Sequence, residues 1–256
     1  MYVPLSPAFL TIPLAHRGYH NRAMGVPENS VAAVRAAIAM GYGIEIDVQL
    51  SRDGVAMVFH DEAMEPLTEA KGLIRDHTAK QLSGIKLRDS DETIPTLGEV
   101  LLLVAGRVPL LIEIKDQTAT MSASDGRLEV ATAQALAGYI GPVAVMSFNP
   151  HSIDAMRRLA PEIPRGLTTS AYDIADWAPL APDRCDQLRD VPDYDRTQSS
   201  FISHEAADLD RPRVGALKSQ GAGVLCWTIK SAEAERIARQ IAQNITFEGY
   251  AARLPA

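Results

Sequence analysis

Gly43-Ile-Glu-Ile-Asp-Val48 sets the architecture of this chain. Side chains alternate across a strand, so Glu45 and Asp47 share one face while Ile44, Ile46 and Val48 share the other. Both faces of a parallel strand are normally covered, and acids placed there are costly unless they meet a cation. A second apolar run repeats the device: Pro109-Leu-Leu-Ile112 leads into Glu113-Ile-Lys115. Two further runs end in histidine. Ile12-Pro-Leu-Ala15 reaches His16-Arg-Gly18, and Val55-Ala-Met-Val-Phe59 delivers His60-Asp61. In a parallel sheet the ends of the strands form the edge where ligands bind and chemistry occurs.

Outward from these segments, short apolar runs alternate with alanine-rich or amphipathic stretches. The expected barrel strands are Ile12–Ala15, Ile44–Val48, Pro109–Ile114, Val143–Ser147, Arg165–Thr168, Ser200–Ser203, Val224–Thr228 and Ile245–Phe247. Eight strands, most followed by a helical stretch, predict an α/β fold of the closed (β/α)8 (TIM) barrel kind. Residues 1–256 suffice for one such domain. Asn29 or Ser30 can cap a helix from Val31 to Met40 that Gly41 ends, and Thr96 can cap another over Leu97–Ala105. Later helices are expected at Arg127–Tyr139, Ser152–Leu159, Arg211–Ser219 and Ala232–Ala242. After a hairpin turn at Ser51-Arg-Asp-Gly54, residues 61–95 read as a small insertion over the barrel mouth, after the second barrel strand. Asp173–Ser199, with Trp177, Pro179, Pro182 and Pro192, reads as a loop with short helical pieces.

Glu45, Asp47 and Glu113 converging at one mouth would repel one another unless a hard cation such as Mg2+ or Ca2+ joined them. The competing reading is an ion-pair network with Arg17 or Lys115. His16 and His60 can serve as a base and an acid near neutral pH. Arg17 and Lys115 can bind phosphate oxygens. Trp227, in Val224-Leu-Cys-Trp-Thr228, can wall the pocket or simply belong to the core. His20, His77, His151 and His204 lack such neighbours and read as structural. Together the groups suit a metal-assisted site acting on a phosphate.

The remaining composition narrows the class. The net charge of -7 argues against broad attraction to nucleic acid or an anionic membrane. Cys185 and Cys226 form no C-x-x-C motif, which fits a reducing cytoplasm. Met1-Tyr-Val-Pro-Leu-Ser6 has no signal-peptide pattern, and runs such as Val100–Ala105 are too short to span a bilayer.

The ordered segments His16-Arg-Gly18, Pro27-Glu-Asn-Ser30, Glu45-Ile-Asp-Val48, Asp53-Gly-Val55, His60-Asp61, Pro95-Thr-Leu97 and Glu113-Ile-Lys115 resemble the glycerophosphodiester phosphodiesterases. The match is dense to about residue 116, and Val224-Leu-Cys-Trp-Thr228 looks like the family's tryptophan strand. The resemblance implies the same barrel and a divalent cation held by Glu45, Asp47 and Glu113. It also implies acid/base histidines at His16 and His60, and Arg17 and Lys115 near the phosphate. The implied reaction is hydrolysis of a small-molecule glycerophosphodiester to an alcohol and glycerol 3-phosphate. Rival readings are a lysophospholipase D or sphingomyelinase D-like activity and a non-catalytic phosphate-binding barrel. The family commonly ends in an Asp-Gly-apolar-Thr-Asp-Pro segment, whereas this chain reads Asn244-Ile-Thr-Phe-Glu-Gly-Tyr250. That departure bears on which alcohol is released.

Overall fold

A computed structural model of the chain describes residues 2–255, so Met1 and Ala256, the ends of the expected domain, lie outside the described residues. The elements run α1 (Ala8–Thr11), β1 (Leu14–Ala15), α2 (Val31–Met40), β2 (Gly43–Leu50), β3 (Ala56–Val58), α3 (Ala79–Leu82) and α4 (Leu97–Val104). They continue with β4 (Leu110–Ile114), α5 (Arg127–Leu136), β5 (Val143–Ser147), α6 (Pro150–Leu159), β6 (Arg165–Thr169) and α7 (Pro182–Arg189). The last are β7 (Phe201–Glu205), α8 (Pro212–Ser219), β8 (Gly223–Ile229), α9 (Ala232–Ala238) and β9 (Asn244–Phe247).

Eight strands pair in parallel in the order β1, β9, β8, β7, β6, β5, β4, β2, and β1 also pairs with β2, which closes the barrel. β3 adds to β2 antiparallel, as the Asp53-Gly54 turn predicts. The expected strands all form, with small shifts at their ends. β1 begins at Leu14 rather than Ile12 because Pro13 has no N–H to give a ladder.

The period-two pattern separates two cores. Ile44, Ile46, Val48, Ile112 and Ile114 point outward against the helices. Inward-facing Leu14, Leu111, Ala144, Met146, Phe201 and Leu225 fill the lumen, joined by Leu5 and Phe9. The sequence pattern did not predict α1, since four residues carry no readable helical period. This helix closes the barrel bottom through Phe9, and Asn244 Nδ2 on β9 donates to the carbonyls of Phe9 and Ile12.

Gly166 leaves room for Phe201 inside the barrel. A Cβ there would stand 2.5–2.6 Å from the Phe201 ring. Gly166→Ala is therefore expected to destabilise the fold by about 1–3 kcal/mol, the usual cost of overpacking a filled core. Urea or thermal unfolding checks this, and an unchanged midpoint would mean that the ring moves aside freely.

Between β3 and α4, Met57, Phe59, Met64, Ile74, Leu82, Leu87 and Ile94 form a core of their own. Thr78 and Gln81 make a reciprocal capping box at α3, and Asp53 accepts the Ala79 amide there. Cys185 and Cys226 are free and buried, and burial pushes the Cys226 thiol up to about 12. Among the described residues no helix is long and apolar enough to cross a membrane.

Candidate active site

The period that puts aliphatics on the outer face of β2 turns Glu45 and Asp47 into the barrel. Asp47 pairs in register with Glu113 of β4, so two acids meet across neighbouring strands. Glu45, Asp47 and Glu113 are each at most 7% exposed. One oxygen from each lies within 4.8 Å of the others.

Two cations reach this group. Lys115 Nζ donates to Glu113 Oε1 at 2.8 Å and stands 3.3 Å from Asp47 Oδ1. Arg17 Nε stands 3.6 Å from Asp47 Oδ2, while Arg17 Nη1 donates to Glu28 Oε1 at 2.6 Å. The acids thus cluster as the strand pattern predicts, and an ion-pair network with Lys115 and Arg17 runs through the cluster. The network does not balance the cluster, because Arg17 is shared with Glu28 and Glu45 has no ion pair among the described residues. Among the described residues, Glu45 accepts only the Arg17 backbone N–H, at 3.0 Å.

The electrostatics follow this arrangement. Burial and the negative charges of Asp47 and Glu113 push Glu45 well above the usual carboxylate range. Burial opposes ionisation of Asp47 as well, but Lys115, His60 and Arg17 outweigh it and hold that carboxyl below its usual range. Burial works against the Lys115 charge too, yet Glu113 and Asp47 raise its pKa.

A sharp loop delivers Arg17. Arg17 and Gly18 both adopt positive φ, 52° and 80°, which turns the chain over the end of β1. A Cβ at Gly18 would stand 2.8 Å from the Ala33 Cβ, so only glycine fits that close approach to α2. Of the two capping candidates, Ser30 takes the role by accepting the Ala33 amide. Asn29 instead donates from Nδ2 to Asp47 Oδ2 at 3.0 Å and accepts the Asp47 amide at 3.3 Å. A residue read only as a helix cap therefore fixes one of the clustered acids.

Each candidate histidine carries a carboxylate on Nδ1. His16 Nδ1 is 2.6 Å from Glu248 Oε2, and His60 Nδ1 is 2.7 Å from Asp61 Oδ1. The His60 hydrogen bond keeps Asp61 below its usual range. Gln49 donates to the His60 carbonyl, and Gln117 donates to Gln49 Oε1. The departing tip of the last strand thus touches His16, a consequence that the residue spacing alone did not reveal. His20, read as structural, comes within 3.6 Å of Glu248. The other three keep the structural reading: His204, for example, is buried between Thr169 and Asp208.

Trp227 is half-buried, its indole N–H donating to the Ser203 carbonyl. Its ring meets Phe148 edge-on at 5.5 Å, and Phe148 and Tyr172 pack against Trp177 at 4.9 and 4.8 Å. The tryptophan thus belongs to an aromatic cluster whose other members the sequence scatters over the loops after β5 and β6.

Residues 16–246 match the glycerophosphoryl diester phosphodiesterase family. A glycerophosphodiester phosphodiesterase of Caldanaerobacter subterraneus is 33% identical over 175 residues, covering 65% of this chain and 70% of that protein. A phosphodiesterase of Oleispira antarctica, solved in complex with the product sn-glycerol-3-phosphate, superposes with a TM-score of 0.76 at 26% identity over 94% of both chains. A glycerophosphodiester phosphodiesterase of Thermotoga maritima shares the fold, with a TM-score of 0.69 at 21% identity over 93% of this chain and 94% of that one.

Proposed function

Because the chain belongs to the glycerophosphoryl diester phosphodiesterase family, we propose that it hydrolyses glycerophosphodiesters to an alcohol and glycerol 3-phosphate, with Mg2+ or Ca2+ held by Glu45, Asp47 and Glu113. The observation that carries the reading is the charge imbalance of the buried cluster: three carboxylates within 4.8 Å of one another, and Glu45 with no cation of its own. All three donors are oxygens, which suits a hard cation better than zinc. Such an ion, when bound, supplies positive charge beside the phosphate oxygens.

The chain's own groups have the donors that the reaction needs. Lys115 Nζ has three N–H bonds, of which Glu113 and Asp47 engage two, leaving one for a phosphate oxygen. Arg17 Nε is buried without a hydrogen-bond partner, so the guanidinium has unused donors at the site. Trp227 gives the glycerol carbons an apolar wall. His16 takes the proton of the glycerol 2-hydroxyl, which attacks phosphorus, and His60 protonates the departing alcohol. Water then opens the cyclic phosphate with the two roles reversed. Ionised Asp61 only accepts, so the shared proton sits on His60 Nδ1 and Nε2 is the nitrogen that exchanges protons with substrate. Residues 61–95, starting at this histidine pair, act as an insertion that covers the mouth of a single domain.

The chain needs no covalent nucleophile in this scheme, because the substrate supplies its own hydroxyl. A 2-deoxy glycerophosphodiester is therefore expected to be a poor substrate even with a good leaving group. A glycerol 1,2-cyclic phosphate should be visible by phosphorus NMR during turnover. Efficient hydrolysis of the 2-deoxy compound would remove the two-step route and leave direct attack by water.

A further inference from the structure

We infer that Glu248 is a positioning residue for His16, fixing which imidazole nitrogen faces the substrate, and that Lys230 and His20 hold Glu248 in place. The inference rests on the proposed proton-transfer role of His16. β1 and β9 are parallel neighbours in which Leu14 pairs with Thr246. Two residues further along each strand, on the same inward face, stand His16 and Glu248. Their backbones are pinned at that height: the His16 amide donates to the Phe247 carbonyl at 2.9 Å, and the Glu248 amide donates to the Ile229 carbonyl at 3.0 Å.

Three donors then surround one carboxylate. His16 Nδ1 lies 2.6 Å from Oε2, Lys230 Nζ lies 2.8 Å from Oε1, and His20 Nε2 lies 3.6 Å from Oε2. His20 Nε2 is buried and has no hydrogen-bond partner of its own, so Glu248 is the acceptor that it faces. These contacts, that of His16 first, outweigh burial and hold Glu248 far below the usual carboxylate range. An ionised carboxylate has no proton to give, so the hydrogen between the two groups belongs to His16 Nδ1. In the neutral ring Nε2 then carries the lone pair.

This geometry has little value for stability alone. Lys230 is 71% exposed, and such a pair contributes little to folding. Its effect is orientational, as with the carboxylates that orient histidines at other reactive sites. The His60–Asp61 pair has the same form. Each half of the proposed acid/base cycle thus has a histidine whose Nδ1 is occupied.

The protein labelled with 15N at histidine, with the Glu248→Ala, Glu248→Gln and Lys230→Met variants, tests the assignment. In the wild type, neutral His16 should show the Nδ1–H tautomer, and Glu248→Ala should mix the two tautomers. Turnover of glycerophosphocholine should fall about ten- to a hundredfold in kcat for Glu248→Ala, with KM little changed, the scale seen when an orienting partner is lost. Glu248→Gln is nearly isosteric and still offers an acceptor oxygen, so it should retain most of the tautomer and lose less kcat. The acid limb of its pH profile should move to lower pH, since a charge that favours the imidazolium is gone while His20, Lys230 and Arg17 remain. Lys230→Met should lower kcat less than Glu248→Ala, and because a cation is lost it should move the acid limb slightly to higher pH. An Nε2–H tautomer in the wild type, or an unchanged tautomer and kcat in Glu248→Ala, would overturn the inference. A His16→Ala variant with full activity would instead sink the proposed mechanism, while the tautomer would still judge the contact.

Discussion

His16→Ala and His60→Ala are each expected to lower kcat on glycerophosphocholine by at least about a hundredfold, the usual worth of a positioned proton-transfer group. Both rings sit past strand ends, with side chains 16% and 29% exposed, and neither belongs to an apolar core. Truncation should therefore change folding stability by less than about 1 kcal/mol, as at other surface positions. KM should stay within a few-fold, because the proposed phosphate contacts, Arg17 and Lys115, are untouched. The combined loss in the double variant should fall short of the product of the two single losses, since the groups act on one proton inventory. Near-normal kcat in either correctly folded variant would remove that histidine from the mechanism. Thermal unfolding of each variant separates lost chemistry from lost fold.

Chelation is expected to abolish turnover, and Mg2+ or Ca2+ is expected to raise the melting temperature of the wild type. At a free ion concentration near 100 times Kd, binding to the native state alone contributes about 2.7 kcal/mol. For a chain of this size that corresponds to a rise of roughly 5–10 °C. Glu45→Gln should cancel most of this rise, because it removes the one clustered carboxylate that no side chain neutralises. Without the ion the sign reverses. Glu45 is buried and repelled by Asp47 and Glu113, so the glutamine variant should be at least as stable as the wild type. That pair of opposite effects distinguishes a cation site from an ion-pair network, in which losing Glu45 would be uniformly costly. Full activity after exhaustive chelation would leave the cluster with a structural role only.

The residues that carry these expectations were legible because strand periodicity is local. Alternation over six residues was enough to put Glu45 and Asp47 on one face, and the same pattern at Leu111–Lys115 put Glu113 and Lys115 on another. Strand-end positions brought His16, Arg17 and His60 into view. The capping residues were only half legible. Thr96 caps α4 as its pattern predicts, with Glu99 completing the box. The choice between Asn29 and Ser30 depended on Asp47, which reaches Asn29 only after β2 and the loop before α2 have met.

The order of elements, the inward acids and the punctuation of the helices are written in short windows of sequence, since they depend on side-chain direction and backbone preference over a few residues. Barrel closure and the balance of charge are not. Closure sets β1 against β9, and only that parallel register brings His16 to Glu248, 232 residues away, and draws in His20 and Lys230. The Phe148, Tyr172, Trp177 and Trp227 cluster, and the unpaired carboxyl of Glu45 beside two shared cations, arise in the same way. Such contacts depend on the relative height of distant strands around a closed sheet, a quantity that no local pattern encodes.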